Sequence, residues 1–415
     1  MTANKNETGG LSYEYVGMSM SEIKELVVST YIGGLKRKRR PKPIFCWGAP
    51  GEGKTFTMYA AAREIGRRLG TPCILFDVPS GTLEPTDLSG IPWPIKIKEE
   101  AMFYRYVGPE WGWFASKQFE NWMKEKDHNF VASPAIIHID DLVSAHFQTQ
   151  NAFFKGVHEG KWGNLVQRDN VMTIGCGNRL EDNAGANDMP TPLANRFRHC
   201  YALPKTEDWL RWGSQFREEG EEGITGENRI HPIIIGYIRT RNDVLREFNS
   251  DIANRSEKAF ASPRTWEDVS EVLWEGEIRP DNPIFSRTIM GIVGYGQATE
   301  FLGYLRNSTS LVPPDEIIKN PKKAKIPSKQ NLDAIHATIA SLELYIKQHP
   351  EHWKAGLIYA MRDTMIPDIG ILLAQTISEI VVGFSSQKRA KALTDDIFSD
   401  ALDKYKDLID IVDLK

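Results

Sequence analysis

The sequence is poor in cysteine. It has four in 415 residues, and Cys46, Cys73, Cys176 and Cys200 form no Cys-x-x-Cys pair. This excludes a disulfide framework and the common zinc modules. Each lies in or beside an apolar run and reads as a small buried hydrophobe in a reducing compartment. The first ten residues, MTANKNETGG, lack the apolar stretch of a signal peptide. Long hydrophobic runs are missing too, since the most apolar late stretch, 369–384, is broken by Gln375, Thr376, Ser378 and Glu379. These absences place the protein in the cytoplasm. Charge of one sign is also lacking: the net value of −4 excludes a polycation that binds nucleic acid as a whole, though not a local basic patch.

What is present is a soluble composition, 41% hydrophobic and 26% charged, in a chain long enough for two or three domains. Residues 1–18 read as a disordered N-terminus. Helical apolar spacing follows over 19–32 (Ile23, Leu26, Val27, Tyr31), with Ser21 available as a cap. Strands are expected at 43–47, 73–78, 135–139, 171–176 and 199–203, and helices at 54–69 and 148–158. This alternation is the signature of an α/β fold, a parallel sheet flanked by helices. After Pro204 the pattern turns helical. Residues 312–329, with four prolines and five lysines, read as a linker or surface loop, and 330–415 as a helical region.

Gly48-Ala49-Pro50-Gly51-Glu52-Gly53-Lys54-Thr55 follows the first strand and opens a helix, the pattern GxxxxGK[ST] in its proper setting. Glycines let backbone N–H groups converge on phosphates, and the helix N-terminus adds its dipole. Residues 48–55, with Phe56 after them, are the expected nucleotide contacts. Lys54 would meet the β- and γ-phosphates of ATP, and Thr55 would ligate Mg²⁺. The third strand, Ala135-Ile-Ile-His-Ile, runs into Asp140 and Asp141. Asp140 is the second expected metal ligand, and Asp141 the base that deprotonates the attacking water, with Glu159 next in line for that role. His138, inside the strand, is expected to be a packed histidine. Asn178, after the fourth strand, offers an amide to water and γ-phosphate without adding charge. Arg196 and Arg198 precede the fifth strand and are placed to serve a neighbouring subunit as arginine fingers.

In order, GAPGEGKT, Thr86-Asp87-Leu88-Ser89-Gly90, IIHIDD, Gln150-Asn-Ala-Phe-Phe, IGCGN, LANRFRH and Ser262-Pro263-Arg264 together resemble the AAA+ superfamily, and within it the MoxR-like ATPases, over roughly residues 20–300. The resemblance implies a P-loop NTPase core with a parallel five-stranded sheet over 19–204, and a helical lid over 205–311 carrying sensor 2. It implies a ring, usually a hexamer, with ATP at its interfaces. Arg264 would touch the γ-phosphate in cis, Arg196 would reach it in trans, and Arg198 is second candidate for that role. The partner implied is a protein client, often of von Willebrand factor A type. One departure stands out: Asp140-Asp141 replaces the family's usual Asp-Glu, a side chain roughly 1.5 Å shorter.

Two features stay open at this level. The run Lys36-Arg-Lys-Arg-Arg-Pro-Lys42 fits nucleic-acid phosphates, a nuclear signal or a solvated loop. Aromatics between Phe103 and Phe114 fit a polypeptide grip or core packing. The net charge and the absence of a DNA-binding module favour a protein remodeller over a nucleic-acid motor or loader, with a non-hydrolysing scaffold as third reading.

Overall fold

The computed structural model describes residues 17–98, 101–107, 109–180, 187–217, 224–225, 227–247, 258–308 and 312–405. The described residues form two compact units, one within 17–208 and one within 209–405.

In the first unit the elements are β1 Gly17–Met18, α1 Met20–Lys36, β2 Ile44–Trp47, α2 Lys54–Leu69, β3 Ile74–Pro79, α3 Pro85–Ser89, β4 Ile91–Lys98 and β5 Ala101–Val107. Then come α4 Glu110–Phe114, α5 Lys117–Lys126, β6 Ala135–Asp140, α6 Phe147–Glu159, β7 Lys161–Trp162, β8 Leu165–Val166, β9 Val171–Gly177, α7 Thr191–Ala194 and β10 Arg198–Ala202. Six strands build one parallel sheet in the order β1-β10-β2-β9-β6-β3. Five of them are the strands expected from the sequence. The sixth is a correction: Gly17 and Met18, assigned to a disordered end, pair with Tyr201 and Ala202. The rest of that N-terminal expectation, residues 1–16, lies outside the described residues.

The central strands IFCW, AIIHID and VMTIGCG are almost entirely buried, as parallel strands covered on both faces must be. Their alternation sorts side chains between two layers. Ile44, Cys46, Ile136, Met172 and Ile174 pack under α1 and α2 with Ile23, Val27, Met58 and Ile65. Phe45, Ile137 and Ile139 pack the other face with Phe153 and Val157 of α6. Each fully buried isoleucine contributes about 1.5–3 kcal/mol of transfer free energy. Helix α1 is capped by Ser19 rather than Ser21: its hydroxyl accepts from the Glu22 amide at 3.3 Å, and the Glu22 carboxylate accepts from the Ser19 amide at 2.7 Å.

Between β3 and β6 the chain adds an antiparallel ribbon of β4 and β5, in which Ile91 pairs with Val107 and Pro94 with Tyr104. Trp111 packs edge-on against Trp162 at 4.8 Å, and Trp113 joins the same core layer, so these two aromatics serve packing. Cys46 faces Cys176 and Cys200 in register across β2, β9 and β10, all three buried as free thiols. Hydrogen bonds to Cys46, with burial, hold the Cys176 and Cys200 thiols well above the usual range, so both stay protonated.

The second unit is helical. Helix α8 (Thr206–Gly213) crosses into it, and α9 (Pro232–Thr240), α10 (Pro263–Glu275), α11 (Pro283–Val293) and α12 (Tyr295–Ser308) surround Trp266, Tyr237 and Phe301. Trp209 and Trp212 pack against that core, as their expected place in a helical segment requires. Residues 312–329 do not behave as a free linker. They carry α13 (Pro314–Lys319) and bury Val312, Ile317 and Ala324 in a second core with α14 (Leu332–Gln348), α15 (Trp353–Ala360), α16 (Pro367–Val382), α17 (Ser386–Leu393) and α18 (Asp396–Tyr405). A partly buried ion pair, Arg239 to the buried Glu343 at 2.8 Å, ties α9 to α14. Among the described residues no helix is long and apolar enough to cross a membrane.

His231 caps α9, its Nδ1 accepting from the Ile233 amide at 3.2 Å while its ring lies 4.5 Å from Trp274. Burial lowers its pKa to about 4. The unfolded chain therefore takes up this proton near pH 6.5 and the folded chain only near 4. Stability is complete above pH 6.5 and falls as pH drops through that window, by about 2–3 kcal/mol. His231→Asn keeps a capping oxygen without the titration. Urea unfolding of the two proteins at pH 7 and pH 4.5 is expected to show the steeper acid loss in the wild type; equal losses refute the assignment.

Candidate functional site

The carboxyl ends of β2, β9 and β6 meet at one edge of the sheet, where open α/β folds bind ligands. The loop after β2 is tied down at its start by the Gly48 amide, which donates to Gly177 O at 3.2 Å. It then turns through Gly51 and Gly53 at φ 76° and 84°, values that side chains other than glycine's rarely tolerate. Ala49 and Glu52 close the loop on itself: the buried Glu52 carboxylate accepts from the Ala49 amide at 2.9 Å. Pro50 is half-buried in the loop, and Phe56, in the first turn of α2, is exposed. Thr57 steadies the helix start by donating to Gly53 O at 2.9 Å.

Lys54 is buried, and its ammonium donates to Gly48 O at 2.8 Å, Ala49 O at 2.9 Å and Asn178 Oδ1 at 3.1 Å. All three donors of the cation thus meet neutral oxygens. Thr55 donates its hydroxyl to Asp140 Oδ2 at 3.2 Å, while Asp140 Oδ1 accepts from the Asp141 amide at 3.1 Å. Among the described residues no cluster of three or more His, Cys, Asp or Glu is arranged for a metal. One hydroxyl beside one carboxylate is the sparse donor set that suits Mg²⁺, an ion that keeps waters and takes substrate phosphates as further ligands. The residues present therefore fit both groups: a glycine-turned loop with a buried cation for phosphates, and a Thr–Asp pair for the ion.

Asp141 is exposed and holds a left-handed backbone at φ 49° and ψ 39°, directly after the strand end. Aspartate tolerates this region better than most residues, and backbone strain of this kind clusters at functional sites. Two supports escaped the sequence reading. Ser80, fully buried, donates to Asp140 O at 2.7 Å and fixes the end of β6. Asp77 on β3 lies 2.9 Å from His138 Nδ1, whose Nε2 lies 3.2 Å from Cys176 Sγ, so His138 is a packed and satisfied core residue. Neither polar residue had a motif around it to mark it.

The remaining residues lie elsewhere. Glu159 ends α6, twelve residues and about 18 Å along the axis from its start, and is ion-paired with Lys161 at 2.8 Å. That corrects its standing as a substitute base. Gln150 is fully buried and donates to Ala145 O at 3.0 Å. Arg196 donates to Pro192 O at 2.8 Å and lies 4.3 Å over the Phe154 ring, with its Nε buried and unpartnered among the described residues. Arg198 is exposed at the amino end of β10, opposite Ile44. Arg264 lies in the second unit, in the first turn of α10, which Ser262 caps by accepting from the Thr265 amide at 3.2 Å.

No family model matches the sequence, and no curated protein matches it. Among solved structures the chain is similar to one in the E. coli MS115-1 HORMA:CdnC:Trip13 complex, at 14% identity over 68% of this chain and 86% of that one, with a TM-score of 0.33. So loose a likeness assigns neither family nor activity.

Proposed function

We propose that the chain is a P-loop ATPase of the AAA+ class, MoxR-like in type. It binds and hydrolyses Mg-ATP at the interfaces of a cytoplasmic ring, expected to be hexameric, and so remodels or matures a protein partner. The partner expected is of von Willebrand factor A type. The reading rests on one observation: Lys54, Thr55, Asp140 and Asn178, separated by up to 124 residues in sequence, converge within hydrogen-bond distance at one sheet edge. A buried ammonium held by three neutral oxygens is poised to exchange them for phosphate oxygens, which bind it as charge-assisted partners.

Thr55 and Asp140 would hold Mg²⁺, whose charge offsets that of the phosphate oxygens. Asn178 already touches Lys54 and orients the water at the γ-phosphate. Asp141 takes a proton from that water as its oxygen bonds to the γ-phosphorus. The bond to the bridging oxygen breaks, and ADP leaves with the electron pair. The family resemblance assigns Arg264 to the γ-phosphate in cis, as an expectation for the variant Arg264→Ala to test. The short Asp141 side chain draws the water closer than glutamate would, a geometry suited to slow turnover and a switch.

Asp141→Asn preserves shape and removes the base. It is expected to keep Mg-ATP binding while steady-state turnover falls by about 10² or more. Phosphate release and nucleotide binding measured on one preparation separate the two effects. An unchanged rate moves the base elsewhere, and no detectable turnover in the wild type selects the non-hydrolysing scaffold.

A further inference from the structure

The opposite end of the first unit's sheet carries a run of exposed cations. The loop from α1 to β2 is firmly built. Its Arg39 amide donates to Gly34 O at 3.1 Å and its Lys38 amide to Leu35 O at 2.9 Å, which closes the helix with Lys38 left-handed at φ 51°. Pro41 folds back so tightly that a Cβ on Gly34 would lie 2.8 Å from Pro41 Cα. Arg40 is the loop's anchor: it donates to His158 O at 2.7 Å, and Asp169 beside it is engaged by Lys117 at 3.2 Å.

With Arg40 and Pro41 turned inward, Lys36, Arg37, Lys38, Arg39 and Lys42 all point into solvent. None makes a side-chain hydrogen bond or ion pair among the described residues, so their charge is not offset by a neighbouring carboxylate, as that of Arg68 is by Glu64 and Glu25. The helix dipole accounts for cations in the last turn of α1; Arg39 and Lys42 lie beyond it. The fold extends the row. The Arg198 amide donates to Pro43 O at 3.0 Å, so the exposed Arg198 stands beside Lys42 although 156 residues later in sequence.

We propose that Lys36, Arg37, Lys38, Arg39, Lys42 and Arg198 form a binding edge for the phosphate backbone of nucleic acid. Five exposed cations on a fixed turn, with Arg198 beside them, match a regular row of single charges, and three of the six are arginines, whose forks grip phosphate oxygens two at a time. A membrane surface is disfavoured because no large exposed apolar residue lies within 36–42 or 195–199. The net charge of −4 concealed this edge, because a whole-chain sum averages over a local concentration. Apart from Arg198, which is also the second candidate finger, the edge is independent of the ATPase reading, and its loop cations would tether the protein to nucleic acid while leaving the ATP site free.

Fluorescence anisotropy with a labelled 30-base single strand and a 30-base-pair duplex, titrated between 50 and 200 mM KCl, tests the edge. Duplex affinity is expected to fall with salt at a log–log slope of about −4, as four to five neutralised phosphates require. The variant Lys36→Gln/Arg37→Gln/Arg39→Gln/Lys42→Gln, which spares the strained Lys38, is expected to bind more than tenfold more weakly at 100 mM salt and to lose most of that slope. Its ATPase rate and melting temperature stay as in the wild type. The single variant Arg39→Ala, expected to lose about one unit of slope, covers the case of a misfolded quadruple variant. No binding at 50 mM salt, or an unchanged slope in both variants, overturns the proposal. Equal binding of poly-glutamate, or binding to phosphatidylserine vesicles with none to DNA, reassigns the edge and also overturns it. So does a quadruple variant that loses ring assembly but keeps DNA binding, which would make the loop a subunit contact.

Discussion

Lys54→Ala is expected to abolish Mg-ATP binding measured by calorimetry. The residue is the one side-chain cation held inside the loop after β2, and its three protons are already directed to the mouth of that loop by Gly48 O, Ala49 O and Asn178 Oδ1. Alanine removes the charge that phosphate would meet in a water-poor setting, where a charge-assisted hydrogen bond contributes about twice a neutral one. It also leaves the Asn178 amide oxygen without its donor, so orientation at the γ-phosphate is lost with affinity. The fold itself is expected to survive, because the loop is held by Gly48 to Gly177 and by Ala49 to Glu52, contacts that do not pass through Lys54. An unchanged circular dichroism spectrum with no heat of ATP binding is the expected pair of results. Binding as tight as in the wild type refutes the phosphate-loop reading, and with it the functional proposal.

Why this edge of the molecule was legible in the sequence follows from its physics. A buried parallel strand needs an uninterrupted apolar run, so IFCW, AIIHID and VMTIGCG announced themselves, and whatever follows such a strand must lie at the ligand edge. Glycines at fixed spacing before a lysine leave few other readings. The parts that were not legible lack such constraints. Gly17–Met18 is too short to show a period, and the ribbon 91–107 has prolines at 92 and 94, which argue against a strand except in an edge position such as this two-stranded ribbon offers. Lysines and prolines in 312–329 drew attention from Val312, Ile317 and Ala324, the three residues that tie the segment to a core. Ser19 and Ser21 both precede apolar spacing, and only the reciprocal bond with Glu22 selects Ser19. Ser80 and Asp77 act through contacts to strands 60 residues away, which no local pattern reports. The basic run was visible, but its continuation through Arg198 depends on β10 lying beside β2.

Arg196→Ala is expected to lower turnover by up to ~10³ while leaving nucleotide binding largely intact, the signature of a finger supplied by a neighbour. The geometry argues for trans action. Arg198 pairs with Ile44, four residues before Gly48, which puts it roughly 13 Å from its own phosphate loop at 3.3 Å per residue, and Arg196 precedes it in chain order. Neither side chain is brought to Lys54. Arg196 rests on Phe154 with one nitrogen unpartnered, a hold that a cation–π contact of about 1 kcal/mol makes and that a phosphate can displace. Head-to-tail contacts that place such a residue on the next subunit close into a ring. ATP is therefore expected to favour oligomers in sedimentation, and the Arg196 variant to lose part of that preference. Mixing decides the matter. In rings made of Arg196→Ala and Lys54→Ala subunits, some sites pair an intact loop from the first with an intact arginine from the second, so activity returns in part, although neither variant alone turns over at the wild-type rate. If mixed oligomers form and restore nothing, the finger is not Arg196. The same mixture made with Arg198→Ala then tests the second arginine, and full ATPase activity in a monomer removes the ring altogether.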